Sequence, residues 1–166
     1  RRDMVAVRQP LATSAPQPGK ERLRLWIRIL RVSRLIEAEL RDRLKTEFDT
    51  TLPRFDILSA LDRNPDGLTM GALSTLLMVS NGNVTGLVDR LMQEGLVDRE
   101  AMEHDRRTYK VTMTKAGKAA FRKMANRHEE WLDDMFEELA NDDIEKLMAL
   151  LNKLRMSVAQ RKIDRD

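Results

Sequence analysis

Leu68 to Thr114 reads LTMGALSTLLMVSNGNVTGLVDRLMQEGLVDREAMEHDRRTYKVTMT, and the pattern of this stretch decides the fold. Thr69 has the side chain to cap a helix, with Leu68 placed to pack on Leu73 as a hydrophobic staple. Leu73, Leu76 and Leu77 give that helix its buried side, and it ends near Met78. Val79-Ser80 offers a second cap, after which Val84, Leu87, Val88 and Leu91 mark the buried side of another short helix. Two helices joined by so tight a turn must cross at a steep angle. Gly95 stops the second, Leu96-Val97-Asp98-Arg99 begins a strand, and Thr108 to Met113 alternates enough to be its return, with Val111 and Met113 facing one way.

Upstream, Trp26, Ile29, Leu30, Ser33, Ile36, Leu40, Leu44 and Phe48 recur at three- and four-residue steps, which predicts one long amphipathic helix from Lys20 to Phe48. It is too long for the core of one small domain. Leu52-Pro53 restarts the chain, Phe55, Leu58 and Leu61 line a shorter helix, and Asn64-Pro65-Asp66-Gly67 has the composition of a turn. Downstream, Thr114 can cap a helix from Lys115 to Leu139 with an apolar stripe through Phe121, Met124, Ala125, Trp131, Leu132, Met135, Phe136 and Leu139. Its cations come early and its carboxylates late, an order that opposes the helix dipole and asks for another cause. Asn141 or Asp142 caps a last helix with Ile144, Leu147, Met148, Leu151, Leu154 and Val158 on one side. Residues 1–19 hold three prolines and no helical period; they read as a tail, either a free leader or a segment packed on a neighbouring subunit.

The fold class that follows is mainly α with a small β-wing (α+β): a winged helix-turn-helix with long N- and C-terminal dimerisation helices. Four segments divide it. They are the tail (1–19), the N-terminal helices (20–63), the two short helices with their ribbon (64–114), and the C-terminal helices (115–166). The outer helices carry more apolar stripe than the wing domain can cover, which predicts a homodimer.

Totals limit what such a chain can do. With 166 residues, 42% hydrophobic and 34% charged, it fits one globular domain plus extra helix. Zero cysteines exclude disulfides, thiolate nucleophiles and Cys-zinc sites, and suit a reducing cytoplasm. No apolar run reaches the roughly 18 residues of a membrane span, and no segment has the form of a signal peptide. The net charge of +3 is too small to argue for a polyanion by itself. Cations concentrate instead between Lys20 and Lys45, while the stretch that opened the reading is nearly balanced. Catalysis finds no footing. His104 and His128 have no Cys or Ser partner that the sequence can place beside them, and both read as surface or packing histidines. The pairs Asp133-Asp134 and Asp142-Asp143 lack metal-ligand spacing, and there is no phosphate-binding glycine loop. Neither a catalytic residue, a metal nor a cofactor is expected.

A helix in the major groove reads bases with side chains near its N-terminus, and its free N–H groups attract phosphate. In SNGNVTGLVDRL (Ser80 to Leu91) that rule puts Ser80, Asn81, Asn83 and Thr85 nearest the bases or backbone, with Asn83 able to hydrogen-bond an adenine edge. Arg90 lies further along the same helix. Gly82 and Gly86 each cost about 1 kcal/mol of helix stability relative to Ala and lie one turn apart on the exposed side. Close approach to DNA is one explanation of them and a relaxed solvent face is the other. Asp105, Arg106 and Arg107 sit at the tip of the ribbon, where a solvated charge cluster is the bland alternative.

Over roughly residues 20 to 160 the chain resembles the MarR family of transcriptional regulators. The matching pieces are Leu68-Thr69, Val79-Ser80, Asn83-Val84-Thr85, Leu87-Val88-Asp89-Arg90-Leu91, Gly95-Leu96-Val97, Asp105-Arg106-Arg107 and Thr114-Lys115-Ala116-Gly117. Departures are Met102-Glu103 where the family's wing often has Asp-Pro, Met78 where many members have Gly, and Gly82 and Gly86 where larger residues are common. The resemblance implies that Arg107 enters the minor groove with Asp105 orienting its guanidinium, and a narrow groove's negative potential does attract such an Arg. A dimer spaces two reading helices about one duplex turn apart, which implies a pseudo-palindromic operator on double-stranded DNA.

The resemblance also implies a pocket between the dimer helices and the winged region, answering a small aromatic carboxylate or an aryl coenzyme A thioester. Trp26, Ile29, Phe55 and Leu58 can line it or simply pack, and one of Arg28, Arg34 or Arg54 can meet a carboxylate. Lys20, Arg22 and Arg24 suit thioester phosphates, a DNA backbone, or only water. The expected function is a ligand-responsive repressor, cytoplasmic and not an enzyme. Its rival is a helical dimeric interaction module whose winged fold binds protein, motivated by the neutral charge of the reading segment and its two glycines.

Overall fold

A computed structural model describes residues 19–102 and 105–164, with the side chains at 105–107 and 162 outside that description. The tail expected over residues 1–19 lies, Gly19 apart, outside the described residues. The elements are α1 (Glu21–Phe48), α2 (Leu52–Asp62), β1 (Leu68–Thr69), α3 (Met70–Leu77), α4 (Asn81–Gln93), β2 (Val97–Met102), β3 (Asp105–Met113), α5 (Lys115–Met135) and α6 (Asn141–Ile163). The chain divides into two compact units, Arg1–Glu37 and Ala38–Asp166. This boundary falls inside the segment 20–63 that the sequence reading kept whole.

In the first unit the described residues form the leading part of α1. Leu23, Leu25, Trp26, Ile27, Val32 and Leu35 are exposed there, and Ile29 and Leu30 are half-buried.

The second unit holds the core. Leu40 and Leu44 of α1 are buried with Phe55, Ile57, Leu58 and Leu61 of α2, Leu73 of α3, Val84, Val88 and Leu91 of α4, and Phe121, Met124 and Trp131 of α5. α1 and α4 contribute at three- or four-residue steps, as an apolar face at 3.6 residues per turn must, whereas α2 is buried on more than one side and α3 gives Leu73 alone. Phe55 stands between Phe121, with ring centroids 5.6 Å apart, and His128 at 4.8 Å. Leu76, expected on the buried side of α3, is instead exposed, because a helix of eight residues presents only one turn to the core.

Four helices start on a hydroxyl. Thr51, Thr69, Ser80 and Thr114 each accept a hydrogen bond from the backbone N–H three residues on, at Arg54, Ala72, Asn83 and Gly117. Such a cap stabilises a helix by about 1 kcal/mol. For α6 the cap expected at Asn141 or Asp142 gives way to Ala140, whose carbonyl accepts from the N–H groups of Asp143 and Ile144. Asn141 is thus the first helical residue, and Asp142 and Asp143 sit in the first turn, where the dipole favours carboxylates.

The ribbon is three-stranded rather than two-stranded. All pairs are antiparallel in the order β1-β3-β2, with Leu68 opposite Val111 and Val97 opposite Met113. Gly67 makes the extra strand possible. At φ 87° it turns the chain onto β3 so closely that a Cβ there would stand 2.6 Å from the carbonyl oxygen of Val111. The returning strand begins at Asp105, three residues before the expected Thr108, and a bulge falls between Ala101 and Met102. Gly117 fixes the next junction. The first turn of α5 lies against the start of β2, where a Cβ would sit 1.9 Å from the Leu96 carbonyl oxygen, while Thr114 Oγ1 donates to the Gly95 carbonyl at 2.7 Å.

Two members of the α5 charge pattern meet α1. Arg127 pairs with Glu47 at 2.9 Å and with Glu130, and Asp134 faces Arg43 at 3.7 Å. Arg43 and Arg127 also lie 5.9 and 5.7 Å from the ring centre of buried Trp131. The helix ends at Met135 rather than Leu139, consistent with carboxylates massed at the negative end of its dipole.

Candidate nucleic-acid interface

The placement of α4 is set by the turn before it. Met78 closes α3 in the left-handed region, at φ 54° and ψ 38°, so that its N–H reaches the Thr75 carbonyl and the Val79 N–H reaches the Ser74 carbonyl at 3.2 Å. Ser74 Oγ adds a bond to the Val79 carbonyl at 2.5 Å. The chain thereby reverses within two residues and enters α4 through its Ser80 cap.

α4 has two unlike sides. Val84, Val88 and Leu91 are fully buried. Opposite them Ser80, Asn81, Gly82, Asn83 and Gly86 are exposed and Thr85 is half-exposed. Ser80 Oγ is engaged by the Asn83 N–H at 3.4 Å, and the Thr85 hydroxyl donates to the Asn81 carbonyl at 3.0 Å. The side-chain amides of Asn81 and Asn83 have no partner among the described residues, so both present free donors and acceptors. A Cβ at Gly82 or Gly86 would meet nothing within 4 Å, so nothing inside the chain requires glycine at either position. With Pro53, Val79, Asn83 and Leu87 they border an open depression of about 380 Å3.

Arg90 is exposed but not free, since its Nε donates to Glu94 at 3.0 Å. Glu94 also receives Arg54, a contact that the sequence reading missed because residues forty apart carry no periodic signal. In the wing, Arg99 lies over the Tyr109 ring at 4.8 Å and reaches Asp89 at 3.5 Å, which ties β2 to both β3 and α4. The backbone of Asp105, Arg106 and Arg107 runs in β3, and their side chains lie outside the described residues.

The residues expected to meet an effector fall into different units. Trp26, Arg28 and Arg34 are exposed and Ile29 is half-buried in the first; Arg34 borders a shallow depression of about 320 Å3 with Ile27, Leu30, Arg31 and Leu35. In the second, Phe55 and Leu58 are core residues, Leu58 with no exposed surface, and Arg54 is buried against Glu94. Packing accounts for Phe55 and Leu58 as they stand. Elsewhere, His128 is held below the usual imidazole range by burial, and the hydrogen bond from Arg127 draws Glu47 below the usual carboxylate range. Among the described residues no cluster of His, Cys, Asp and Glu has the arrangement of a metal site, and no helix is long and apolar enough to cross a membrane.

Two short helices around a capped turn, with a three-stranded wing whose β2 and β3 follow them and whose β1 precedes them, define a winged helix-turn-helix protein. Residues 48–108 match the model of the MarR family. The chain is 30% identical over 126 residues to the HTH-type transcriptional regulator PecS of Dickeya dadantii, covering 75% of each protein. It is 34% identical over 104 residues to the transcriptional activatory protein BadR of Rhodopseudomonas palustris, covering 61% of this chain and 59% of that one. A MarR family transcriptional regulator from Silicibacter pomeroyi superposes with a TM-score of 0.73 at 33% identity, over 87% of this chain and 99% of the other. The chain belongs to the MarR family of transcriptional regulators, and is a regulator rather than an enzyme.

Proposed function

We propose that the chain binds a pseudo-palindromic operator as a homodimer, represses transcription from it, and is released by a small aromatic carboxylate or an aryl coenzyme A thioester. The observation that carries this reading is the two-sided α4: its apolar side is fully buried, while its N-terminal half offers the unpartnered amides of Asn81 and Asn83 beside two glycines open to solvent. Side chains at the start of a helix are those that reach base edges in the major groove, and an open glycine face permits close approach. Arg107 then supplies the minor-groove contact that fixes the wing, with Asp105 orienting its guanidinium and Arg106 adding to the grip. Homodimerisation is supported by α6, where Leu154, Leu151, Leu147, Val158 and Leu150 remain between 42% and 64% exposed in the single chain. An effector between the helices moves the two reading helices off the spacing of successive grooves. Family membership sets aside the rival interaction module.

The test is binding of the purified chain to the DNA upstream of its own gene at several salt concentrations. We expect log affinity to fall steeply and linearly with log salt, since each phosphate contact contributes roughly 0.9 to the slope. Arg107→Ala should weaken binding about equally on all sequences, whereas Asn83→Ala should mainly relax sequence preference. Absence of binding to any duplex at low salt, with the dimer intact, defeats the proposal. A thermal-shift panel of aromatic acids and thioesters tests the effector, and a panel in which none raises the Tm removes that class. Transcription from the operator with the gene deleted decides the sign, because BadR is named an activatory protein.

A further inference from the structure

We propose that Arg54 is a positioning residue for the reading helix: it holds the C-terminal end of α4 through Glu94, and Glu94 in turn restrains Arg90. This rests on the reading of α4 as the helix that faces DNA.

Arg54 is the one buried charged side chain among the described residues. Its Nη1 donates to Glu94 Oε1 at 2.5 Å, and the same oxygen accepts from Arg90 Nε at 3.0 Å. The rest of the guanidinium is also tied, Nε to Thr51 Oγ1 and Nη2 to the Asp49 carbonyl, each at 3.4 Å. Asp49 is itself left-handed at φ 49°. Three anchors therefore fix the fork where α2 begins, and Glu94, the C-cap of α4, is the only one of them on α4.

A buried cation must be paired, so Arg54 keeps Glu94 in place more strongly than a surface pair would. The apolar contacts of Val84, Val88 and Leu91 set how deep α4 sits and which side it turns inward, but each such contact is non-directional and leaves some play. The fork is directional, and it removes the remaining play at the C-terminal end of α4, which sharpens how Asn81 and Asn83 meet the bases. A second consequence concerns Arg90. Glu94 competes with any phosphate for this cation, which holds down sequence-independent grip and leaves discrimination to the amides.

The test combines two measurements on Glu94→Gln and Arg54→Gln. In the DNA-free dimer, amide exchange across Arg90–Glu94 should speed up about tenfold in both variants. On DNA, Glu94→Gln frees Arg90: affinity for a random duplex should rise, the salt slope should steepen by about one phosphate contact per protomer, and the operator-to-random ratio should fall about tenfold. Arg54→Gln should lower that ratio with no gain on random duplex, and Arg54→Lys, which keeps the charge without the fork, should restore part of it. Unchanged exchange overturns the clamp, and faster exchange with an unchanged ratio overturns its positioning role. If Arg54→Gln does not fold, Arg54→Lys and Glu94→Gln carry the same comparison. Should the parent bind no duplex, the function proposed above falls, and the exchange measurement still decides the clamp.

Discussion

His128 shows how one residue couples packing to pH. Its ring lies 4.8 Å from that of Phe55 at 26° between planes, and burial holds its pKa below the usual imidazole value of about 6.5. The folded protein resists protonating this ring while the unfolded chain accepts the proton freely, so unfolding takes up protons as pH falls through that value. Stability from this group is therefore complete above about pH 6.5 and is lost progressively below it. Glu47 is also depressed, but as a carboxylate its contribution is present above about pH 4.3 and lost only under more acid conditions. We expect the Tm of the parent to decline from about pH 7 to pH 5, and His128→Phe, which keeps a ring on Phe55, to flatten that decline. An identical pH profile in the variant would remove His128 as the cause. At this scale the sequence left His128 open as a surface or a packing histidine, and no spacing rule could have named Phe55 as its neighbour.

At the scale of elements, the turn between α3 and α4 carries a cost that the sequence marks only by an absence of glycine. Met78 adopts φ 54° while its side chain is 93% exposed, so the strain is not offset by burial. A left-handed residue with a Cβ costs on the order of 1 kcal/mol, and glycine is the usual occupant of this position. Met78→Gly is expected to stabilise the protein by about 0.5–1 kcal/mol, the gain being reduced by the greater entropy of glycine in the unfolded chain. For a chain of this size that is roughly 1–4 °C in Tm. A Tm unchanged or lowered in a thermal melt would show that the Met78 side chain contributes more than its exposure indicates. Short-range rules made much of the other elements legible, with caps at Thr69, Ser80 and Thr114 and buried sides at Leu73, Val84, Val88, Leu91 and Phe121, but they misplaced the α6 cap, the exposure of Leu76 and the end of α5. β1 was not legible, since two residues have no period and their pairing to Val111 depends on Gly67 bringing distant backbone together.

At the scale of the whole molecule, the question is what covers the apolar residues that the single chain leaves open. Leu151 and Leu154 lie on one side of α6, three residues apart, and remain 43% and 42% exposed. A stripe of this kind is stable in water when buried on a partner. If the chain works as the proposed homodimer with one half-site per protomer, replacing both with Glu is expected to leave a monomer in light scattering and to weaken operator binding at least tenfold. A variant that stays dimeric with full operator affinity would place the interface elsewhere.

What the sequence determined by itself was local: helix periods, hydroxyl caps, the turn between two short helices, and a small polar face on the second. These are set by residues within a turn or two of each other, where sterics and hydrogen bonding leave few choices. What only the tertiary structure decided was which distant groups meet. The third strand, the packing of Phe55 and Leu58 into the core, the pairing of Asp134 and Arg127 of α5 with α1, and the Arg54–Glu94 contact all join residues far apart in the chain. Their partners are chosen by how the buried faces fit together, a condition that no single stretch of sequence contains.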